Sequence, residues 1–122
     1  DYFQLQTTRV RIHRQLPGQE IPLHTDGNNM AVKDKNDYMI RSITALTASK
    51  DFTYKFIDTE KKRRVQWLKQ GETIFFDPDL VAHGMLNEST TETRYALVQI
   101  FKLYPVTAWA RDFISTEKVV TI

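Results

Sequence analysis

His24-Thr25-Asp26 and the distant His83 are the residues of this chain whose types and spacing could hold a metal ion. On an extended segment, residues i and i+2 project from the same face. His24 and Asp26 would then offer one imidazole nitrogen and one carboxylate side by side, with Gly27 letting the chain turn away. The third ligand must come from elsewhere, and His83 is the natural candidate, since the only other histidine is His13. Two imidazoles and one carboxylate on one side of an ion leave its remaining positions open to other ligands. Two neutral donors and one anion leave Fe(II) with a single formal positive charge, which suits an incoming anionic chelator and O2. The plain alternative is a hydrogen-bonded His–Asp pair on a surface strand, because a lone His-X-Asp is a weak motif.

Arg94 lies eleven residues after His83, at the start of the apolar run Tyr95-Ala96-Leu97-Val98-Gln99-Ile100-Phe101. In one register its alternate partners Ala96, Val98 and Ile100 face inward, and an inward guanidinium is costly unless it meets an anion. A carboxylate is the natural partner of its planar fork. In the other register Tyr95, Leu97, Gln99 and Phe101 face in and Arg94 is in solvent; patterning alone does not choose between them. Arg41, inside Tyr38-Met39-Ile40-Arg41-Ser42-Ile43-Thr44, poses the same choice between a second anion partner and a strand-edge cation.

The elements that must position these residues are strands. Alternating or β-branched runs occur at residues 8–13, 21–26, 38–47, 52–57, 65–68, 72–76, 82–87 and 93–103. Turn signals divide them at Pro17-Gly18, Gly27, Gly71 and Asp77-Pro78-Asp79. About eight short strands with little helix suit an all-β jelly roll, a double-stranded β-helix of the cupin type. One weak helical segment is expected at residues 107–114. No repeat, linker or low-complexity tract divides the chain, so residues 1–122 are expected to form one domain.

This ordered set resembles the 2-oxoglutarate/Fe(II)-dependent oxygenase superfamily. The text around it is most similar to the aspartyl/asparaginyl β-hydroxylase-like branch, which includes proline hydroxylases. The likeness rests on Arg9-Val10-Arg11-Ile12-His13, Pro17-Gly18-Gln19-Glu20-Ile21-Pro22-Leu23-His24, Gly71-Glu72-Thr73-Ile74-Phe75-Phe76-Asp77, and His83 followed by Asn87-Glu88-Ser89 and Arg94-Tyr95. It spans about residues 8–104. The resemblance implies that His24, Asp26 and His83 ligate Fe(II), that Arg94 binds the C5 carboxylate of 2-oxoglutarate, and that Arg41 is a second cosubstrate contact. It implies oxidative decarboxylation to succinate and CO2, coupled to hydroxylation of a C–H bond in an amino acid, a peptide side chain or another small molecule. The rival readings are a non-oxidative cupin that binds a metal or ligand, and an inactive interaction domain that keeps the fold.

Composition narrows the field further. The chain has no cysteine, which excludes disulfides, zinc–thiolate sites, iron–sulfur clusters and thiol catalysis. Any metal must be a harder or borderline one, such as Fe(II), Mn(II), Zn(II) or Ni(II). With 17 Lys+Arg against 15 Asp+Glu, the balance makes no general case for nucleic acid. The basic run Glu60-Lys61-Lys62-Arg63-Arg64 reads first as a solvated hairpin tip and second as a contact for phosphates or an acidic peptide. No apolar run approaches the ~20 residues of a membrane span. Asp1-Tyr2-Phe3-Gln4 begins no signal-peptide core, and a cytoplasmic location is expected. His13 reads as a satisfied surface histidine, Trp67 and Trp109 as packing residues, and the polar stretch 27–37 as a surface loop or a substrate-selecting one.

Overall fold

The structure is a computed structural model and describes residues 5–26, 38–57, 60–103 and 119–121. Among the described residues nine strands form two antiparallel sheets: β1 (Leu5–Gln15), β2 (Glu20–His24), β3 (Tyr38–Ala45), β4 (Phe52–Ile57), β5 (Arg63–Gln66), β6 (Thr73–Phe76), β7 (Ala82–Asn87), β8 (Arg94–Leu103) and β9 (Val119–Thr121). One sheet runs β1-β8-β3-β6-β9 and the other β2-β7-β4-β5. This is the expected all-β jelly roll, with one strand more than the eight expected. The additional strand, β9, is only three residues long and pairs with β6 at the sheet edge. The expected helix at 107–114, with Trp109, lies outside the described residues, as do Gly27 and the stretch 27–37.

The core fills the space between the sheets with Ile43, Ala45, Tyr54, Phe56, Leu68, Ile74, Phe76, Val81, Met85, Ala96 and Val98. Each large member contributes about 1.5–3 kcal/mol by leaving water. Strand β8 pairs with both β1 and β3. Its alternation resolves the register question: Arg94, Ala96, Val98 and Ile100 are buried, while Tyr95 faces solvent.

Among the strand boundaries that differ from the sequence expectation, the end of β2 bears on the metal motif. The segment 65–68 pairs two residues earlier, at Arg63–Gln66, because an edge strand needs only one buried face and tolerates arginines. Strand β2 ends at His24, so Asp26 lies just beyond it. Within β2 the register slips: Ile21 opposes Met85 and His24 opposes His83. Three steps on β2 match two on β7, a bulge of one residue at Pro22-Leu23. In unbroken pairing Leu23 would oppose His83 and His24 would point to the other face.

Gly84 makes room for that bulge. A Cβ there would meet the Ile21 carbonyl oxygen at 2.7 Å and the Leu23 amide nitrogen at 3.1 Å. Among the described glycines Gly84 alone lies in a strand interior, where glycine marks close backbone approach. Gly84→Ala is therefore expected to cost about 1–3 kcal/mol of stability, as other overpacking does, read by denaturant unfolding. It should also weaken divalent-metal binding, read by calorimetry. Gly71→Ala, where the added carbon meets nothing within 4 Å, carries only the penalty of its φ of 87°. It should lower stability and leave metal affinity unchanged.

Candidate metal centre and its flanking arginines

The turn at Asp77-Pro78-Asp79 organises the centre. The Asp77 side chain accepts the amides of Asp79 and Leu80 at 2.9 and 3.3 Å, which folds the chain back into β7 and delivers His83. The same turn holds the His-X-Asp segment, since the Asp26 amide donates to the Pro78 carbonyl at 2.9 Å. Asp26 thus converges with His24 through this anchor and the β2 bulge, not through simple strand alternation.

His24, Asp26 and His83 each present a ligand atom within 4.8 Å of the others. Asp26 Oδ1 lies 2.9 Å from His83 Nε2 and 3.5 Å from His24 Nε2. Both rings are fixed by their other nitrogen. His24 Nδ1 donates to the Pro22 carbonyl at 2.8 Å, and His83 Nδ1 to the Val81 carbonyl at 2.9 Å. Such a bond to backbone settles which nitrogen faces inward and raises its basicity as a ligand. His83 is buried against Phe76, with ring centroids 4.8 Å apart. The His24 side chain is 41% exposed, so the centre opens to solvent on one side.

Arg41 reaches the same carboxylate. Its Nη2 pairs with Asp26 Oδ2, and its Nη1 lies 3.5 Å from His83 Nε2. Burial works against the charged form of Asp26, but the hydrogen bond with His83 and the charges of Arg41, His83 and His24 outweigh it. The net result holds its pKa below the ordinary 3.8. Burial also lowers the pKa of Arg41, as do Arg11 and Arg9, while Asp26 and Asp79 oppose them. A cavity of about 310 Å³ opens beside the cluster, lined by Arg11, His13, Arg41, Ile43, Met85 and Val98 among others. His13, expected as a surface residue, is half-buried in this wall. Burial, then Arg11 and Arg41, push its pKa below the ordinary 6.5, which keeps it neutral at pH 7.

Arg94 is fully buried, at 0% exposure, but is not in the wall of that cavity. Its Nη1 donates to Gln15 Oε1 and the Thr53 carbonyl at 3.1 Å and to the Leu86 carbonyl at 3.4 Å. The guanidinium stacks 3.8 Å from the Tyr54 ring centroid. Burial lowers its pKa, and the neighbouring Tyr54 hydroxyl opposes the change. No acid meets it among the described residues. Its Nε and Nη2, and the Tyr54 hydroxyl, are buried without a hydrogen-bond partner among those residues. Met85 lines the cavity, faces Tyr54 across β7–β4, and lies two residues from His83, roughly 7 Å along the strand.

The sequence reading missed Gln15, which anchors Arg94, and Tyr54, whose orphaned hydroxyl shares its pocket. It gave Asn87 and Ser89 only as part of a motif. Both are structural: Asn87 donates to the Gln15 and Glu92 carbonyls and accepts the Ser89 amide, and the Ser89 hydroxyl accepts two amides of the next turn. Trp67 is 56% exposed and donates to the Lys50 carbonyl, so it braces a loop rather than filling the core.

Because the folded pKa of Asp26 is depressed, its charge stabilises the fold above the ordinary carboxylate pKa. That contribution is lost as the pH falls through the folded value. In metal-free buffer, Asp26→Asn should therefore unfold more readily than the parent at neutral pH, with the gap narrowing as the pH falls below the ordinary carboxylate range, read by thermal unfolding across pH. Arg94→Met should leave the ligand-free thermal midpoint unchanged or raise it, because an isolated buried charge costs more than a packed thioether.

No protein-family model matches the chain, and no curated protein matches it in sequence. Solved structures do match it. A non-heme monooxygenase, ThoJ, in a nickel complex, is similar with a TM-score of 0.62 and 14% identity over 84% of this chain and 47% of its own. The viral collagen prolyl hydroxylase of Paramecium bursaria Chlorella virus-1, in complex with 2OG, is similar with a TM-score of 0.54 and 18% identity over 81% of this chain and 60% of its own. A cupin domain from Bordetella pertussis has a TM-score of 0.48 and 18% identity over 82% and 92% of the two chains. The chain thus spans only 47% and 60% of the first two proteins. At these identities the likeness to the first two is one of fold alone, an all-β jelly roll.

Proposed function

We propose that this domain is an Fe(II)- and 2-oxoglutarate-dependent oxygenase that hydroxylates a C–H bond. The observation that carries the reading is the convergence of His24 Nε2, His83 Nε2 and Asp26 Oδ1, with each Nδ1 tied to a backbone carbonyl. Two nitrogens and one carboxylate oxygen fit a ferrous ion with positions left open. A dicarboxylate cosubstrate also fits the donors present. The buried Arg94 Nε and Nη2 and the Tyr54 hydroxyl are three unanswered polar groups in one place, enough to receive one carboxylate. They sit about two strand residues beyond the metal ligands, a span that a five-carbon dicarboxylate bridges. When bound, Fe(II) with 2-oxoglutarate and O2 supplies the oxidising power to replace C–H by C–OH, releasing succinate and CO2.

The chain's own residues would divide the remaining work. His24, Asp26 and His83 hold the ion on one side. Arg41 fixes the outer oxygen of Asp26, which leaves the inner one aimed between the two imidazoles, and it keeps a cation in the cavity for a bound anion. Arg94 and Tyr54 take the far carboxylate. Ile43, Met85 and Val98 give the metal-side cavity its apolar wall.

Anaerobic addition of Fe(II) and then 2-oxoglutarate should give a weak visible charge-transfer band. His83→Ala should lose both metal binding and the band. Arg94→Met should keep Fe(II) binding and lose the band at 2-oxoglutarate levels that saturate the parent. Metal binding with no band in the parent would favour the non-oxidative cupin reading. Succinate release, screened over amino acids and peptides, then identifies the substrate.

A further inference from the structure

The metal-side cavity adjoins a second one of about 450 Å³, and the two share His13, Ile21 and Met85. The second is lined by four consecutive residues of β1, Ile12 to Gln15, and by the consecutive Gln19, Glu20 and Ile21. A cavity lying on a sheet face is lined by alternate residues, because side chains alternate. Consecutive residues mean that this one runs along strand edges, where the backbone itself forms the wall. The topology agrees. β1 ends the five-stranded sheet and β2 ends the four-stranded sheet, and neither has a second neighbouring strand among the described residues. The rolled sheets therefore leave a cleft between two free edges, and it leads to His24, Asp26 and His83.

Free strand edges recognise an extended polypeptide, which pairs main chain to main chain. Charge selects which polypeptide. Asp26 answers Arg41, and Lys55 pairs with Glu20 at 3.9 Å. Arg11 lines the metal-side cavity with no acidic partner among the described residues, and its charge acts on both His13 and Arg41. Among the described residues it is the cation of the metal-side cavity wall with no acid against it.

We infer that the substrate is an extended peptide segment lying between β1 and β2, with an acidic side chain against Arg11 beside the residue to be modified. The inference deepens the oxygenase reading by naming its substrate class, and it rests on that reading only for the chemistry, not for binding.

The test is fluorescence anisotropy of short labelled peptides that differ at one central residue, Glu, Gln or Lys, with the Mn(II)-loaded protein. The Glu peptide should bind about three- to fivefold more tightly than the Gln peptide, the size expected of an exposed charge pair, and the Lys peptide more weakly still. Arg11→Gln, on an exposed strand position, should fold normally and lose the preference, and Arg11→Glu should reverse it toward Lys. N-methylation of alternate peptide amides should weaken binding severalfold by removing main-chain donors. Three results would overturn the inference: equal binding of the Glu and Gln peptides, indifference to N-methylation, or free glutamate competing as well as the peptide. The first would mean that the positive edge serves only to repel other chains. Its failure is separable from that of the oxygenase reading. A charge-transfer band without acid preference sinks only the substrate class, and an Arg11-dependent preference without metal binding sinks only the chemistry.

Discussion

The candidate centre depends on one backbone contact, the crowding of β2 against β7 at Gly84. Metal ligands drawn from two strands must face each other, and the pleat allows this only in the right register. Here the register is set by a bulge: Ile21 and Met85 face inward together, and one extra residue later His24 again faces His83. The bulged strand presses its carbonyls toward β7, where a side chain larger than hydrogen would meet the Ile21 oxygen. Pro22 suits the same place, since it donates no hydrogen bond and β2 is an edge strand. The carbonyl of Pro22 is also what fixes the His24 ring. One local irregularity therefore sets both the position and the tautomer of a ligand.

The second constraint is Arg94. A guanidinium at 0% exposure with two nitrogens unsatisfied is a cost that folding alone does not explain. The Tyr54 ring, worth about 2 kcal/mol as a desolvated cation–π partner, and three acceptors for Nη1 offset part of it. The remainder points outside the fold, to an anion, because the unsatisfied hydroxyl of Tyr54 lies in the same pocket. Buried polar groups without partners are rare enough that a cluster of three in one place needs a reason.

What could be read from the sequence divides along physical lines. β4 and β7 were legible to the residue, because alternation or a strong turn bounds them. His83 was legible for the same reason: Asp77-Pro78-Asp79 announces where its strand begins. The orientation of Arg94 was not, because β8 is apolar on both faces and only tertiary packing chooses between them. Asp26 was paired with His24 on an argument of strand alternation, yet the strand stops at His24 and the amide bond to Pro78 does the placing. Gly84 carried a signal that was passed over, an isolated glycine inside a strand run. Tyr54 and Gln15 carried none, since their roles exist only once β1, β4 and β8 meet around Arg94.

The same geometry explains why the centre sits where it does. Among the described residues β1, β9, β2 and β5 are edge strands, and sheets usually protect such edges with charge. Here β1 protects itself with Arg9, Arg11 and Arg14, all exposed. Arg11 also lines the metal-side cavity, so the positive charge that discourages self-pairing is at the same time a field directed at the centre. Asp26 and Asp79 are the acids whose charge acts on Arg41, against the positive charges of Arg11 and Arg9. Under the proposed function the charge of Asp26 would hold a metal, while the arginines around it keep the surroundings cationic. Under the proposed function such a site would favour anionic chelators and anionic substrates together, through the strand whose edge a bound peptide would share.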